Sequence, residues 1–225
     1  MRLTSTEFLI QKFPDMRLIL PSIVATIIAA YLPVGSLYAQ DKGWYAGATI
    51  GQSKVDIDEA FWSDSSISGG VLKNDGLNYQ IFVGYKTNRF IALEGGYLKV
   101  ADATFDGESD GVNTIWKAGN VKGYARIDGF MLQGVGYIPS GISSLQFYLK
   151  GGLFFSNTRT IYHYTINDIL RYPDDGITLI GGVGLQAQLT QNWYFRSDML
   201  YTTAPLENRQ NVKISDLTIG LLRPF

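Results

Sequence analysis

The sequence predicts an all-β protein: an eight-stranded antiparallel up-and-down transmembrane β-barrel preceded by a cleaved signal peptide. Three observations predict it. Beyond residue 40 the chain falls into eight segments that alternate apolar and small or polar residues, with no convincing amphipathic helix among them. The connections between these segments alternate short and long without exception. The last segment, Asn211 to Phe225, alternates to its end and stops on an aromatic ring. A strand with one apolar and one mostly small or polar face fits lipid on one side and a packed interior on the other.

The N-terminal region is the one stretch that reads as helix. Met16-Arg17 precedes an apolar run from Leu18 to Leu32, followed by Ser36-Leu37-Tyr38-Ala39. A basic start, an apolar centre and a small residue at the end make a secretory signal. Cleavage is expected after Ala39, leaving Gln40 as the first residue of the barrel domain, which then covers residues 40–225. An uncleaved anchor is the alternative, and Pro21 and Pro33 weigh against it. Met16 is an alternative start, because Lys12, Pro14 and Asp15 fit a leader poorly.

The strands follow in order. Trp44 to Ser53 sets Trp44, Ala46, Ala48 and Ile50 on its outer face. Leu77 to Lys86 sets out Leu77, Tyr79, Ile81, Val83 and Tyr85, and Arg89 to Lys99 sets out Ile91, Leu93 and Tyr97. In the fourth, Val121 to Tyr137, the expected lipid face is Ile127, Met131, Val135 and Tyr137, with Gln133 as a blemish. Arg126, Asp128, Phe130, Gly134 and Gly136 then face the lumen. Leu145 to Ser156 sets out Leu145, Phe147, Leu149, Leu153 and Phe155, and Gly176 to Gln188 sets out Leu179, Val183, Leu185 and Ala187. Asn192 to Thr203 sets out Trp193, Phe195, Met199 and Tyr201. The final segment sets out Leu217, Ile219, Leu221 and Phe225 against Asp216, Thr218, Gly220 and Leu222.

Thr87-Asn88, Ile138 to Ser144 and Leu189 to Gln191 are the short turns. Lys54 to Gly76, Ala101 to Asn120, Asn157 to Asp174 and Ala204 to Gln210 are the long, polar connections. Short turns on one side and long loops on the other are the habit of transmembrane barrels. Aromatic residues gather toward both ends of the outer faces, as expected where rings sit at lipid–water interfaces.

Composition narrows the chemistry. The 225 residues hold 25 glycines and 13% aromatics, while only 17% are charged. A net charge of -1 gives no reason to expect nucleic acid as a partner. With no cysteine there is no disulfide, thiolate metal site or cysteine nucleophile. His163, the one histidine, lies in the third long connection and reads as an exposed loop residue. The acidic stretch Asp106-Gly-Glu-Ser-Asp-Gly111 lacks the spacing and closing glutamate of a calcium loop, so it reads as a solvated loop. No cofactor, metal or catalytic constellation is expected.

Several short segments carry a likeness: Gly43-Trp44-Tyr45-Ala46-Gly47, the run Gly84-Tyr85-Lys86-Thr87-Asn88-Arg89-Phe90-Ile91-Ala92-Leu93-Glu94, Gly136-Tyr137, and Arg196-Ser197-Asp198. With them the chain resembles the small outer-membrane barrels of the OmpA-like transmembrane domain and its relatives. The resemblance implies residence in the cell outer membrane of a Gram-negative bacterium. It also implies a lumenal glutamate paired with basic residues, Glu94 matching the glutamate and Arg196 one partner. Side-chain parity adds Lys150, Arg126, Asp128 and Asp198 to the same lumenal network, with Tyr45, Phe82, Phe130, Tyr148 and Tyr194 filling space around it.

Eight strands enclose a lumen just wide enough for side chains to fill, so a wide diffusion pore is not expected. The expected role is structural or surface-interactive, adhesin-like, with a narrow low-conductance channel as a subsidiary reading. A lipid A-modifying enzyme and a soluble lipocalin-like ligand-binding barrel are the alternatives. The expected partners are outer-membrane lipids and lipopolysaccharide, the barrel-assembly machinery reading Leu217, Ile219, Leu221 and Phe225, and a host or surface ligand at the external loops.

Overall fold

The computed structural model describes residues 42–225 apart from 59–60, 63–65, 113–117, 141–143, 166–167 and 207–209. The expected signal segment, residues 1–39, lies outside the described residues. Ten strands follow one another: β1 (Gly43–Asp56), β2 (Ile67–Lys73), β3 (Asp75–Lys86), β4 (Ile91–Lys99), β5 (Ala103–Ser109), β6 (Gly119–Ile138), β7 (Leu145–Thr165), β8 (Asp168–Gln188), β9 (Tyr194–Leu206) and β10 (Gln210–Pro224).

These ten strands build eight barrel staves. Every pairing is antiparallel, and the ring runs β6-β4-β3-β1-β10-β9-β8-β7, closed by the pairing of β7 back onto β6. Asn74 alone separates β2 from β3, and β5 continues the line of β4 along the upper part of β6. So β2 and β5 are the external ends of the second and third staves, paired with each other above the barrel. Closure removes the unpaired edges that an open sheet would leave in lipid.

Three staves are far longer than a membrane needs. β6 has 20 residues, and β7 and β8 have 21 each. A tilted strand crosses the hydrocarbon in roughly 9–11 residues. About half of each therefore stands outside; the strand expected from Val121 agrees with β6, whereas β7 and β8 run through 157–174, where the sequence predicts a loop. The alternation persists there in Asn157-Thr-Arg-Thr-Ile-Tyr162, but the outward residues are wetted, so the apolar stripe that marks a spanning strand fades.

The fourth stave, β6, is turned over relative to the sequence reading. Ile127, Met131, Val135 and Tyr137 are buried in the interior, while Phe130 and Leu132 are exposed on the outer face. Cross-strand register fixes the phase: Tyr97, outward on β4, stands opposite Phe130, with the ring centroids 5.7 Å apart. Gln133, the apparent blemish, stands opposite Glu94 and belongs to the lumen. Periodicity misled because this stave carries large apolar residues on both faces, and Gly134 and Gly136 leave little signal outside. On the other staves the apolar faces point outward as expected, including Trp44, Leu77, Ile81, Leu93, Leu149 and Met199.

The interior is filled in two layers. Toward the short turns it is polar and charged, around Tyr45, Glu94, Gln133, Lys150, Arg196 and Asp198. Toward the long connections it is apolar, built from Val55, Ile57, Val100, Phe105, Val121 and Ile127. Trp62, in the first long connection, folds into this upper layer. It lies parallel to Phe105 at 6.3 Å and also touches Tyr162 at 5.5 Å between ring centroids.

Candidate functional site

The inward parity of three staves delivers four charged side chains to one level of the lumen. Glu94 comes from β4, Lys150 from β7, and Arg196 and Asp198 from successive inward positions of β9. All four are at most 5% exposed. Arg196 grips Glu94 with both terminal nitrogens, Nη1 to Oε1 at 2.7 Å and Nη2 to Oε2 at 2.9 Å. Its Nε donates to Asp198 Oδ2 at 3.0 Å. Lys150 Nζ approaches Asp198 Oδ1 at 2.7 Å and Glu94 Oε2 at 3.7 Å. Two cations and two carboxylates leave the group neutral.

Two tyrosines complete it. The Tyr45 hydroxyl donates to Glu94 Oε1 at 2.7 Å, and the Tyr148 hydroxyl donates to Asp198 Oδ1 at 2.8 Å. The Arg196 guanidinium carbon lies 4.3 Å from the Phe82 ring centre and 4.9 Å from that of Tyr148. Both tyrosine rings depend on glycines of neighbouring staves. A Cβ at Gly84 would come within 2.2 Å of the Tyr45 ring, and one at Gly184 within 2.4 Å of the Tyr148 ring. Buried charge is tolerated only when paired and hydrogen-bonded; all four charges are paired, and Arg196, Glu94 and Asp198 are hydrogen-bonded as well.

The structure thus brings together four of the six residues expected in the network. Arg126 and Asp128 are corrections: with β6 turned over, both leave the lumen for the outer face. Arg126 Nε lies 3.4 Å from Asp102 Oδ2, and Asp128 accepts the Tyr97 hydroxyl at 2.9 Å. Phe130, expected as lumenal filling, is 67% exposed on the outside. Tyr45 and Tyr148 are more than filling, because each adds a second contact to a carboxylate oxygen that already faces a cation. Their inward parity was readable in sequence, whereas their hydrogen-bond partners were not.

At the outer surface of β10, Ile219, Leu221 and Phe225 are exposed and Leu217 is half-buried. Ile219 stands opposite Ile50, and the Phe225 amide donates to the Trp44 carbonyl at 3.0 Å. His163, expected in a loop, lies on the external part of β7, edge-on to Tyr124 at 5.5 Å. The described residues hold no group of three or more His, Cys, Asp or Glu side chains placed to bind a metal. Below the charged layer a cavity of about 30 Å³, near the volume of one water, opens among Tyr45, Lys86, Tyr137, Gln186 and Tyr194.

Known proteins agree with this architecture. The sequence profile described as "Outer membrane protein beta-barrel domain" matches residues 22–225. The chain is 25% identical over 183 residues to Outer membrane protein A of Serratia marcescens, covering 80% of this chain and 48% of that protein. It therefore spans about half the length of this curated relative. Among solved structures, Neisserial surface protein A superposes with a TM-score of 0.52 at 15% identity, over 83% of this chain and all of that one. The attachment invasion locus protein Ail of Yersinia pestis reaches 0.49 at 16% identity, over 83% of this chain and all of that one. With its closed antiparallel ring and apolar exterior, the chain belongs to the outer membrane protein beta-barrel domain family and resides in the outer membrane of a Gram-negative bacterium.

Proposed function

We propose that the barrel works at the cell surface, as a structural and adhesin-like protein whose external rim contacts macromolecules outside the cell. One observation carries this reading. The lumen is filled by a neutral charge cluster and again by an apolar layer under Trp62, while the wall continues as β2, β5 and the upper parts of β6 to β8. A sealed interior under a raised, paired rim favours contact over conduction. Such rims carry binding residues on a rigid scaffold.

The same features argue against a lipid A-modifying enzyme. The described neighbour of His163 is an aromatic ring rather than a nucleophile or an orienting carboxylate, and a base needs such partners within hydrogen-bond reach. Around the wall, outer-membrane lipids and lipopolysaccharide meet the exposed apolar belt. The barrel-assembly machinery reads Leu217, Ile219, Leu221 and Phe225 from the outer face of the last stave.

The test is saturable binding of the bilayer-reconstituted protein to a panel of immobilised matrix and serum proteins. Val71 and Val112 are 65% and 85% exposed on the external part. The double variant Val71→Asp/Val112→Asp is expected to weaken binding by about tenfold or more, because each substitution sets an unpaired charge where a partner would exclude water. Absence of binding by the parent protein, together with discrete steps in planar-bilayer recordings, would replace this reading with the narrow channel.

A further inference from the structure

We propose that the outer wall formed by β4, β6, β7 and β8 carries a site for a phosphorylated glycolipid of the outer leaflet. The proposal rests on the reading that the exposed apolar belt lies in lipid. Cross-strand register stacks three rows of outward side chains there. The row nearest the short turns is Tyr97, Phe130, Phe155 and Ile177. Next comes Lys99, Asp128, Asn157 and Asp175. The third row sets Arg126 directly opposite Arg159. Rows lie roughly 7 Å apart along the strands and strands about 4.8 Å apart, so the patch has the size of a disaccharide headgroup.

Its position fits the lipid–water boundary. Counted from Ile138 at the short turn, Phe130 is the ninth residue of β6 and Asp128 the eleventh. A tilted strand crosses the hydrocarbon in roughly 9–11 residues. Toward the short turns Leu132, Leu153 and Leu179 continue the exposed apolar face on which acyl chains pack. A groove of about 420 Å³ opens between the first two rows, lined by the rings of Tyr97, Phe130 and Phe155 and by Asp128, Asn157 and Asp175. The polar groups hold one another in place. The Tyr97 hydroxyl donates to Asp128 Oδ2 at 2.9 Å, and Asn157 Nδ2 donates to Asp175 Oδ1 at 2.8 Å. Rings beside carboxylates suit a sugar, whose C–H face packs on an aromatic ring while its hydroxyls donate to the carboxylates.

The arginines add charge complementarity. Like charges directly opposite on neighbouring strands destabilise the pair. Asp102 lies 3.4 Å from Arg126 Nε but is shared with Lys99 at 2.5 Å. Arg159 Nε donates to the neutral amide of Asn157 at 2.9 Å. A phosphate between the two guanidinium groups relieves the repulsion and accepts hydrogen bonds from both. One lipid then answers every row, with its phosphate at the arginines, its sugar in the groove and its acyl chains on the leucines.

The test reconstitutes the full chain into phosphatidylcholine nanodiscs holding a small fraction of lipid A or of phosphatidylglycerol, with EDTA present. Native mass spectrometry then reads the lipid retained after release into detergent. The parent is expected to retain one lipid A under conditions that strip phosphatidylglycerol. Arg126→Ala/Arg159→Ala is expected to weaken retention by about tenfold or more, because two charge-assisted phosphate contacts disappear. Asp128→Asn/Phe130→Ala is expected to weaken it through the sugar. Lys213→Ala, exposed on β10 across the ring from β6, should leave it unchanged. Heat-dependent gel mobility checks that each variant is folded. Phosphatidylglycerol retained as well as lipid A overturns the proposal, as does full retention by the arginine double variant or an equal loss in Lys213→Ala. A chain that inserts into no lipid overturns the membrane reading too, whereas an inserted barrel without selectivity overturns this site alone.

Discussion

Glu94→Ala is expected to destabilise the barrel by about 3–5 kcal/mol. The substitution removes the two short bonds from Arg196 and leaves Arg196 and Lys150 sharing Asp198 alone. One positive charge is then uncompensated in a fully enclosed layer. The Tyr45 hydroxyl loses its acceptor at the same time. Urea unfolding of the bilayer-inserted protein, followed by the change in gel mobility between folded and heated forms, measures the loss. The control is the double variant Glu94→Ala/Arg196→Met, which removes a cation together with the carboxylate. It is expected to recover much of the stability, because an unpaired buried charge is worse than its replacement by apolar groups. If Glu94→Ala were as stable as the parent, the cluster would be solvated and the lumen open.

Trp62→Ala is expected to loosen the external half by about 3–5 kcal/mol while leaving the membrane-spanning half folded. The indole lies against Phe105, Tyr162 and the edge of Phe61, and its six-membered ring lies where a Cβ at Gly123 would stand, 2.4 Å away. Removing it leaves a large void among Val55, Phe105 and Val121 with little that can collapse into it. Two readouts separate this local effect from a global one. Trypsin cleavage near Lys122, on the external part of β6, should accelerate, whereas the urea midpoint of the spanning half should move far less than in Glu94→Ala. Unchanged proteolysis would mean that the first long connection does not seal the barrel.

The contrast between these two sites shows what alternation can and cannot reveal. Glu94, Lys150, Arg196 and Asp198 lie on staves where lipid-facing and lumen-facing residues differ sharply, so parity alone places them inward. Their company followed from the need of buried charge for partners. On β6 the lumen is itself apolar beside the upper layer, so periodicity assigns Ile127 and Met131 to the lipid face although both are buried inside. The register of Glu94 with Gln133 corrects the phase, but register is a long-range property that no short window of sequence displays. The same limit hid Trp62, whose burial depends on Gly123 and Phe105, cross-strand partners on β6 and β5 that lie far from it in sequence. The external strands escaped notice because their outward residues face water, which erases the apolar signature without ending the strand.

The most direct test of a closed, lipid-wetted barrel uses the absence of cysteine from the sequence. Single cysteines placed in turn from 128 to 137 on β6 are labelled in the bilayer-inserted protein, and quenching by a lipid-embedded nitroxide is measured at each. The structure predicts an alternation of period two, with the positions of Phe130, Leu132, Gly134 and Gly136 quenched and those of Met131, Gln133 and Val135 shielded. Quenching of the odd positions, or equal exposure of both sets to water, would contradict it.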